Sequence, residues 1–339
     1  MSYLYGFTNY VKLNILRFFK NPMKIFTNIK TITQPFKKAV LTIGNFDGVH
    51  IGHQALFHAA MEKAEAINGT SVAMTFEPHP MRVLKHENYP PLITLYEQKM
   101  ELIGKAGLDV LICLPFTKAF AQLSARDFVK TLLVQKIGMK AVIVGKDYTF
   151  GKNREGNTTL LKQFGEALDF DVIIPDWIQG VGIKGTRISS TIIRDLVIAG
   201  NVTLAKKMLG RYYQIRGTVA KGRNRGGKLL GFPTANINIQ DELCPKTGIY
   251  AVTAEYENKI YPAVANIGFS PTFDDHVFTI EVHILEFDKD IYNQRLRVNF
   301  IKRLRDEIRF SNLEALSDQI KKDIEVARTL LAQQLPSPT

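Results

Sequence analysis

Cysteine is nearly absent from this sequence: Cys113 sits inside an apolar run and Cys244 precedes Pro245, and there are no others. Two isolated cysteines cannot form a disulfide framework or a zinc site, and they point to a reducing compartment. Acidic residues are missing from the first 38 positions, which hold Lys12, Arg17, Lys20, Lys24, Lys30, Lys37 and Lys38. That leader therefore carries +7 of the formal +12, leaving only +5 for the other 301 residues. A duplex-binding surface would concentrate its cations on one element, so nucleic-acid binding is not expected. The first 22 residues also lack an uninterrupted apolar run, since Asn9, Lys12 and Asn14 break it, which excludes a membrane span there. Ser and Arg are scarce in it and no secretory signal is evident. Residues 1–22 read as a dispensable extension, with Met23 as a natural start. Repeats and low-complexity segments are lacking as well.

A chain of 339 residues exceeds one ordinary core and predicts two domains. From Lys38 to about Ile178, apolar runs alternate with amphipathic stretches. The runs are 39–44, 71–76, 108–114, 141–145 and 171–178; the stretches between them have helical spacing. This is the pattern of a parallel sheet wrapped by helices, an α/β fold. Ser124 is placed to cap the third helix, with Asp127 three residues on. After Ile188 two short helices are expected. Beyond them, 213–300 is all-β: β-branched and aromatic segments separated by Gly, Pro and Asn turns, without helical crossovers, predict an antiparallel barrel. A terminal amphipathic helix follows, for which Ser311 and Glu314 form a capping box.

The strongest local signal is GNFDGVHIGH, Gly44 to His53, at the end of the first run and opening a helix. His50 and His53 around Gly52 at such a turn put imidazole nitrogens and unpaired helix amides toward one spot, which suits ATP phosphates. Histidines there can also merely satisfy the turn or hold a metal. A second element, ISSTIIR at 188–194, offers hydroxyls, amides and one Arg at a helix start; alone it could be an ordinary cap. In the β half, Gly222 to Lys228 fits G-x-x-x-x-G-K, but Leu229 replaces the hydroxyl residue, and Gly231 and Pro233 oppose the helix a P-loop needs. It is not a Walker A motif.

Together these motifs, with FEPHP at 76–80, ARDFV at 125–129, VGKDYTFG at 144–151, GFPTAN at 231–236, PKTGIY at 245–250, NIG at 266–268, PTF at 271–273 and EVHI at 281–284, resemble the bacterial bifunctional riboflavin kinase/FAD synthetase family over nearly the whole chain from Met23. The resemblance implies a Rossmann-like nucleotidyltransferase domain with an HxGH motif over 23–209, which adenylylates FMN to FAD. It implies a β-barrel riboflavin kinase domain over 210–332, leaving 333–339 as a tail. By resemblance, ATP in the first domain meets Gly44, Asn45, Phe46, His50, His53, Ser190, Thr191 and Arg194, while Phe76, Pro78, His79 and Asp147 lie on the flavin or adenine side. In the second, Gly222, Lys228, Gly231, Thr234 and Asn236 bind ATP, Thr234 and Asn236 hold Mg²⁺, and Glu281 is the catalytic base.

The expected reactants are riboflavin, FMN and ATP, in a cytoplasmic enzyme with no oligomeric state specified by sequence. Four positions depart from the family pattern: Lys228, Ser270 and Thr149 stand in place of Arg, and Asn293 in place of Gly. Lys lacks the bidentate fork of Arg. The literal HIGH at 50–53 also occurs in class I aminoacyl-tRNA synthetases, but no KMSKS-like run accompanies it.

Overall fold

The computed structural model describes residues 22–85, 89–178, 187–220, 231–239, 242–272 and 275–332, with the main chain alone for 269–272 and 275–277. The extension over 1–21, the tail over 333–339, and Gly222 and Lys228 lie outside the described residues. Contacts divide the chain into two units, Met1–Pro90 with Thr94–Ile178, and Pro91–Ile93 with Gln179–Thr339.

The first unit is a six-stranded, all-parallel sheet built from β1 (Lys24–Phe26), β2 (Ala39–Ile43), β3 (Ser71–Glu77), β4 (Val110–Pro115), β5 (Met139–Ile143) and β6 (Asp171–Ile173), in the order β1-β4-β3-β2-β5-β6. Parallel strands are covered on both faces, so their sequences are apolar throughout. Leu41, Val72, Ile112 and Val142 enter one core while Val40, Ala73, Leu111 and Ile143 enter the other. The helices are α1 (Ile51–Ala66), α2 (Pro80–Leu84), α3 (Tyr96–Gly104), α4 (Ala125–Asp127), which runs on as a π-helix over Phe128–Ile137, and α5 (Thr158–Leu168).

Ser124 caps α4 as expected: its Oγ accepts from Asp127 N at 3.0 Å and donates to Asp127 Oδ2 at 2.7 Å. The π-helix ends on Gly138 at φ 84°, where a Cβ would lie 2.7 Å from the Phe36 carbonyl oxygen. The sequence reading missed β1 and extended the last strand to 178; the strand stops at Ile173, ahead of Pro175, which cannot donate to a ladder.

The second unit is a closed barrel of β7 (Tyr213–Ala220), β8 (Ala235–Asn238), β9 (Gly248–Tyr256), β10 (Lys259–Thr272), β11 (Asp275–Ile284) and β12 (Arg295–Arg305), in the order β10-β11-β8-β7-β12-β9. Every pairing in it is antiparallel. Phe300 anchors its aromatic core, 5.9 Å from Tyr213 and 5.3 Å from Tyr250 between ring centroids. Helices α6 (Ser190–Ile198) and α7 (Val202–Leu209) pack with this unit: Lys246 N donates to Val197 O, and Val202, Ala205, Met208 and Leu209 are buried.

The terminal helix α8 (Leu313–Ala332) lays Ala327 and Leu331 on Ala251 and Ile301. Its buried Asp323 takes the Arg305 guanidinium through both carboxylate oxygens, at 3.0 and 2.6 Å. Asn312, rather than Ser311, caps it, because the Asn312 Oδ1 reaches Ala315 N at 2.8 Å. Asn293 has φ 60°, a left-handed backbone in which Asn is the best replacement for glycine, so this departure from the family pattern is conformationally conservative.

Candidate active sites

In the first unit the chain passes from β2 outward to β3 and β4, then returns to the other side of β2 to form β5. This makes a switch point beyond the carboxyl ends of β2 and β5, where open α/β sheets bind ligands. The Gly44–His50 loop occupies it. Gly44 is required by close approach, since a Cβ there would lie 2.9 Å from the Phe46 ring. Phe46 itself is 1% exposed and packs on Phe57 at 4.8 Å, so its ring is a core wedge and only its main chain is left to meet a ligand. Buried Asp47 accepts from Thr94 N at 3.1 Å, Gly48 N donates to Thr94 Oγ1 at 3.0 Å, and Thr75 Oγ1 donates to Asn45 O at 3.2 Å. The loop is thus held at three points.

His50, 5% exposed, caps α1: its Nδ1 accepts from His53 N at 3.2 Å. A nitrogen that accepts cannot carry the proton, so the neutral ring has its N–H at Nε2. The His50 and His53 rings stack at 3.5 Å, and α1 has no acid in its first turn to compete for its positive end. At the neighbouring end of β3, buried Lys99 donates to Phe76 O at 3.2 Å and lies 3.3 Å from Glu77 Oε2. His79 caps α2 through Nδ1, next to Pro78, and Phe76 joins Phe116 and Phe120 in an aromatic cluster. Asp147 lies just past β5 and is exposed. The structure therefore gathers Gly44, Asn45, His50, His53, Phe76, Pro78, His79 and Asp147 along the carboxyl edge of one sheet.

Ser190, Thr191 and Arg194 fall in the second unit, on α6. The cap there is Ser189, whose Oγ accepts from Ile192 N at 3.3 Å, so Ser190 and Thr191 stand in the first turn. Arg194 Nε donates to Pro91 O at 2.9 Å.

In the barrel, Asn236 on β8 lies opposite Glu281 on β11, which lies opposite Asn266 on β10. Directly opposed residues project on one face, so the three form a polar row across adjacent strands. Thr234 stands in the turn leading into β8, after Gly231 at φ 80°. The Glu281 carboxyl is held above its ordinary value by burial first and by the negative charge of Glu307 second. Glu307 reaches in over Gly268, where a Cβ would overlap its carboxylate. Asn266 Oδ1 is buried with no hydrogen-bond partner among the described residues. Sequence reasoning saw Asn266 only as part of a motif and did not assign Glu307; the first is legible from its position opposite Glu281, the second only from tertiary packing.

These features define a chain with a nucleotidyltransferase-like parallel sheet followed by a closed six-stranded barrel and a terminal helix. A family model for FAD synthetase matches residues 32–192, and one for riboflavin kinase matches residues 209–331. The bifunctional riboflavin kinase/FMN adenylyltransferase of Escherichia coli strain K12 is 36% identical over 317 residues, covering 93% of this chain and all of the relative. That of Buchnera aphidicola subsp. Schizaphis graminum is 36% identical over 310 residues, covering 90% and 98%. A crystal structure from Streptococcus pneumoniae, described as a macrolide-efflux protein, superposes with a TM-score of 0.80 at 34% identity, covering 91% of this chain and 99% of that one. Among the described residues no helix is long and apolar enough to cross a membrane. The chain belongs to the bifunctional riboflavin kinase/FMN adenylyltransferase family.

Proposed function

We infer that this chain phosphorylates riboflavin to FMN with ATP and then adenylylates FMN to FAD with release of pyrophosphate. The observation that carries the reading is that each of the two family models matches one part of a single chain, the first ending at 192 and the second beginning at 209. Those limits support residues 23–209 as the adenylylating region and 210–332 as the kinase region. A cytoplasmic setting fits the scarcity of cysteine.

For adenylylation, the phosphate of FMN attacks the α-phosphorus of ATP in line, so the protein has to position the reactants and neutralise charge. The His50 Nε2–H, the His53 imidazole and the amides at the start of α1 are donors suited to the departing pyrophosphate. By resemblance, Ser190, Thr191 and Arg194 are further ATP-binding residues of this step. Phe76, Pro78, His79 and Asp147 border the flavin or adenine side.

For the kinase step, Glu281 takes the proton of the ribityl hydroxyl as its oxygen attacks the γ-phosphorus. Burial that raises a carboxyl above its ordinary value also makes it a better proton acceptor. Thr234 and Asn236 face the ATP phosphates, and by resemblance Gly222, Lys228 and Gly231 are the other ATP-binding residues. Magnesium takes oxygen ligands and retains waters and substrate phosphates around it. The Thr234 hydroxyl, the Asn236 amide and the orphaned Asn266 Oδ1 are such oxygens, and among the described residues no cluster of three or more His, Cys, Asp or Glu is placed to hold a metal. The donors therefore fit an ion shared with ATP rather than caged by protein. When bound, it neutralises phosphate charge.

The test is Glu281→Gln, measured in both half-reactions. Loss of a general base lowers riboflavin phosphorylation by about 10²- to 10⁴-fold, while adenylylation of supplied FMN stays near wild type. Near-normal kinase activity would remove Glu281 from the mechanism.

A further inference from the structure

His283 follows Glu281 by two residues on β11, so both side chains project on one face of the strand. The cross-strand ladder from β11 to β8 consists of Glu281 opposite Asn236 and Val282 opposite Ala235, and it ends there. His283 continues the attachment beyond the last rung. Its Nδ1 lies 2.8 Å from the Pro233 carbonyl oxygen, and its ring meets Phe232 edge-on, with 5.7 Å between centroids and an interplanar angle of 90°. A carbonyl oxygen can only accept, so Nδ1 carries the proton and the neutral ring is the Nδ1–H tautomer.

The bonded carbonyl belongs to the peptide that joins Pro233 to Thr234. Because that peptide is planar, fixing its oxygen also fixes the direction in which Thr234 leaves it. Pro233 has its own φ locked and no N–H to donate, so the turn gains little lateral hold from its own main chain. On the other side Gly231 stands at φ 80°, and among the described residues nothing lies within 4 Å of a notional Cβ there, so no packed side chain holds the turn from that end.

We propose that His283 is a positioning residue of the kinase step: through its Nδ1–H bond to Pro233 and its contact with Phe232, it clamps the turn ahead of β8 so that Thr234 stands beside Asn236 and Glu281. It touches the turn, and acts on the reaction through Thr234. The inference rests on the assignment of Thr234, Asn236 and Glu281 to the kinase site.

The test uses the full-length chain with His283→Ala, His283→Asn and His283→Gln, with Mg-ATP varied at saturating riboflavin, and with FMN adenylylation measured alongside. One lost hydrogen bond corresponds to about a tenfold effect, so His283→Ala is expected to raise KM for Mg-ATP about tenfold with a smaller change in kcat. His283→Asn, whose amide nitrogen takes the place of Nδ1, restores most of that loss. His283→Gln, whose amide nitrogen takes the place of Nε2, does not. FMN adenylylation is unchanged in all three. Wild-type kinetics in the Ala variant, rescue by Gln as good as by Asn, or equal loss of both half-reactions in the Ala and Asn variants would each overturn the inference. Glu281→Gln in the same assay separates the two levels: if it retains kinase activity, the underlying site assignment fails whatever the His283 series shows.

Discussion

Glu242 provides a stability test with a defined sign. It is 9% exposed in the barrel unit, opposite Leu92 in an isolated bridge. One carboxylate oxygen accepts from Arg216 N at 3.4 Å, and the other is buried with no partner among the described residues. Burial, opposed by that hydrogen bond and by the charges of Arg216 and Arg295, pushes its pKa up to about 7 from an ordinary 4.5. A carboxyl whose folded pKa is raised stabilises the fold below its unfolded pKa, and that contribution is lost as pH rises through the folded value.

At about 1.4 kcal/mol per pH unit, ionising Glu242 costs the native state roughly 3 kcal/mol at pH 8 and roughly 1 kcal/mol at pH 5. Glu242→Gln removes the titration and keeps the shape. The variant should therefore gain about 2 kcal/mol on wild type between pH 5 and pH 8, or on the order of 5–10 °C in the barrel's transition. Calorimetry of both proteins at the two pH values reads this directly, and the difference between them cancels any fixed effect of the amide. A gap that stays constant or narrows toward pH 8 would refute the buried-carboxylate reasoning.

Other outcomes follow from the two sites. His53→Ala should abolish FAD formation while FMN still accumulates from riboflavin, as chromatography of the products would show; equal loss of both products in a folded variant would contradict separate sites. Glu307→Gln removes the smaller of the two causes that raise Glu281, so the acid limb of the kinase pH profile should move to lower pH, and an upward shift would reverse the assignment. Because α6 and α7 bury Ile193, Val197, Val202 and Met208 in the barrel unit, a fragment of residues 187–339 should be more soluble than one of 210–339. It should phosphorylate riboflavin without making FAD; FAD production by it would place adenylylation in the wrong region.

The sequence made the strands β2 to β5 legible because strands buried on both faces must be apolar throughout, as in residues 39–43 and 71–76. Strand β1 was invisible because three partly exposed residues, Lys24, Ile25 and Phe26, are held by pairing with β4 rather than by their own pattern. Strand β8 was hidden in GFPTAN, where Gly231 and Pro233 signal a turn and the four residues that follow are too few to show a period. Helical spacing identified the stretch from Ala125 to Ile137 but could not distinguish an α-helix from the π-helix that most of it forms, since both present Phe128, Val129, Leu133 and Ile137 inward.

At the sites, His50 and His53 announced themselves by spacing at a strand-to-helix turn, whereas the burial of the Phe46 ring depends on Phe57 across the helix. Glu281 was marked by alternation along β11. The same alternation puts His283 on its face, whereas its company of Asn266 and Glu307 depends on register and on chain returning from β12, which no local pattern encodes.

The central claim is that one chain carries two consecutive ATP-dependent steps on flavin. Its most direct test is a time course of the full-length protein with riboflavin and Mg-ATP, separating riboflavin, FMN and FAD by chromatography. FMN should appear first, with ADP, and FAD should follow at its expense, with pyrophosphate. Riboflavin left unchanged, or FMN accumulating with FMN supplied directly never becoming FAD, would contradict it.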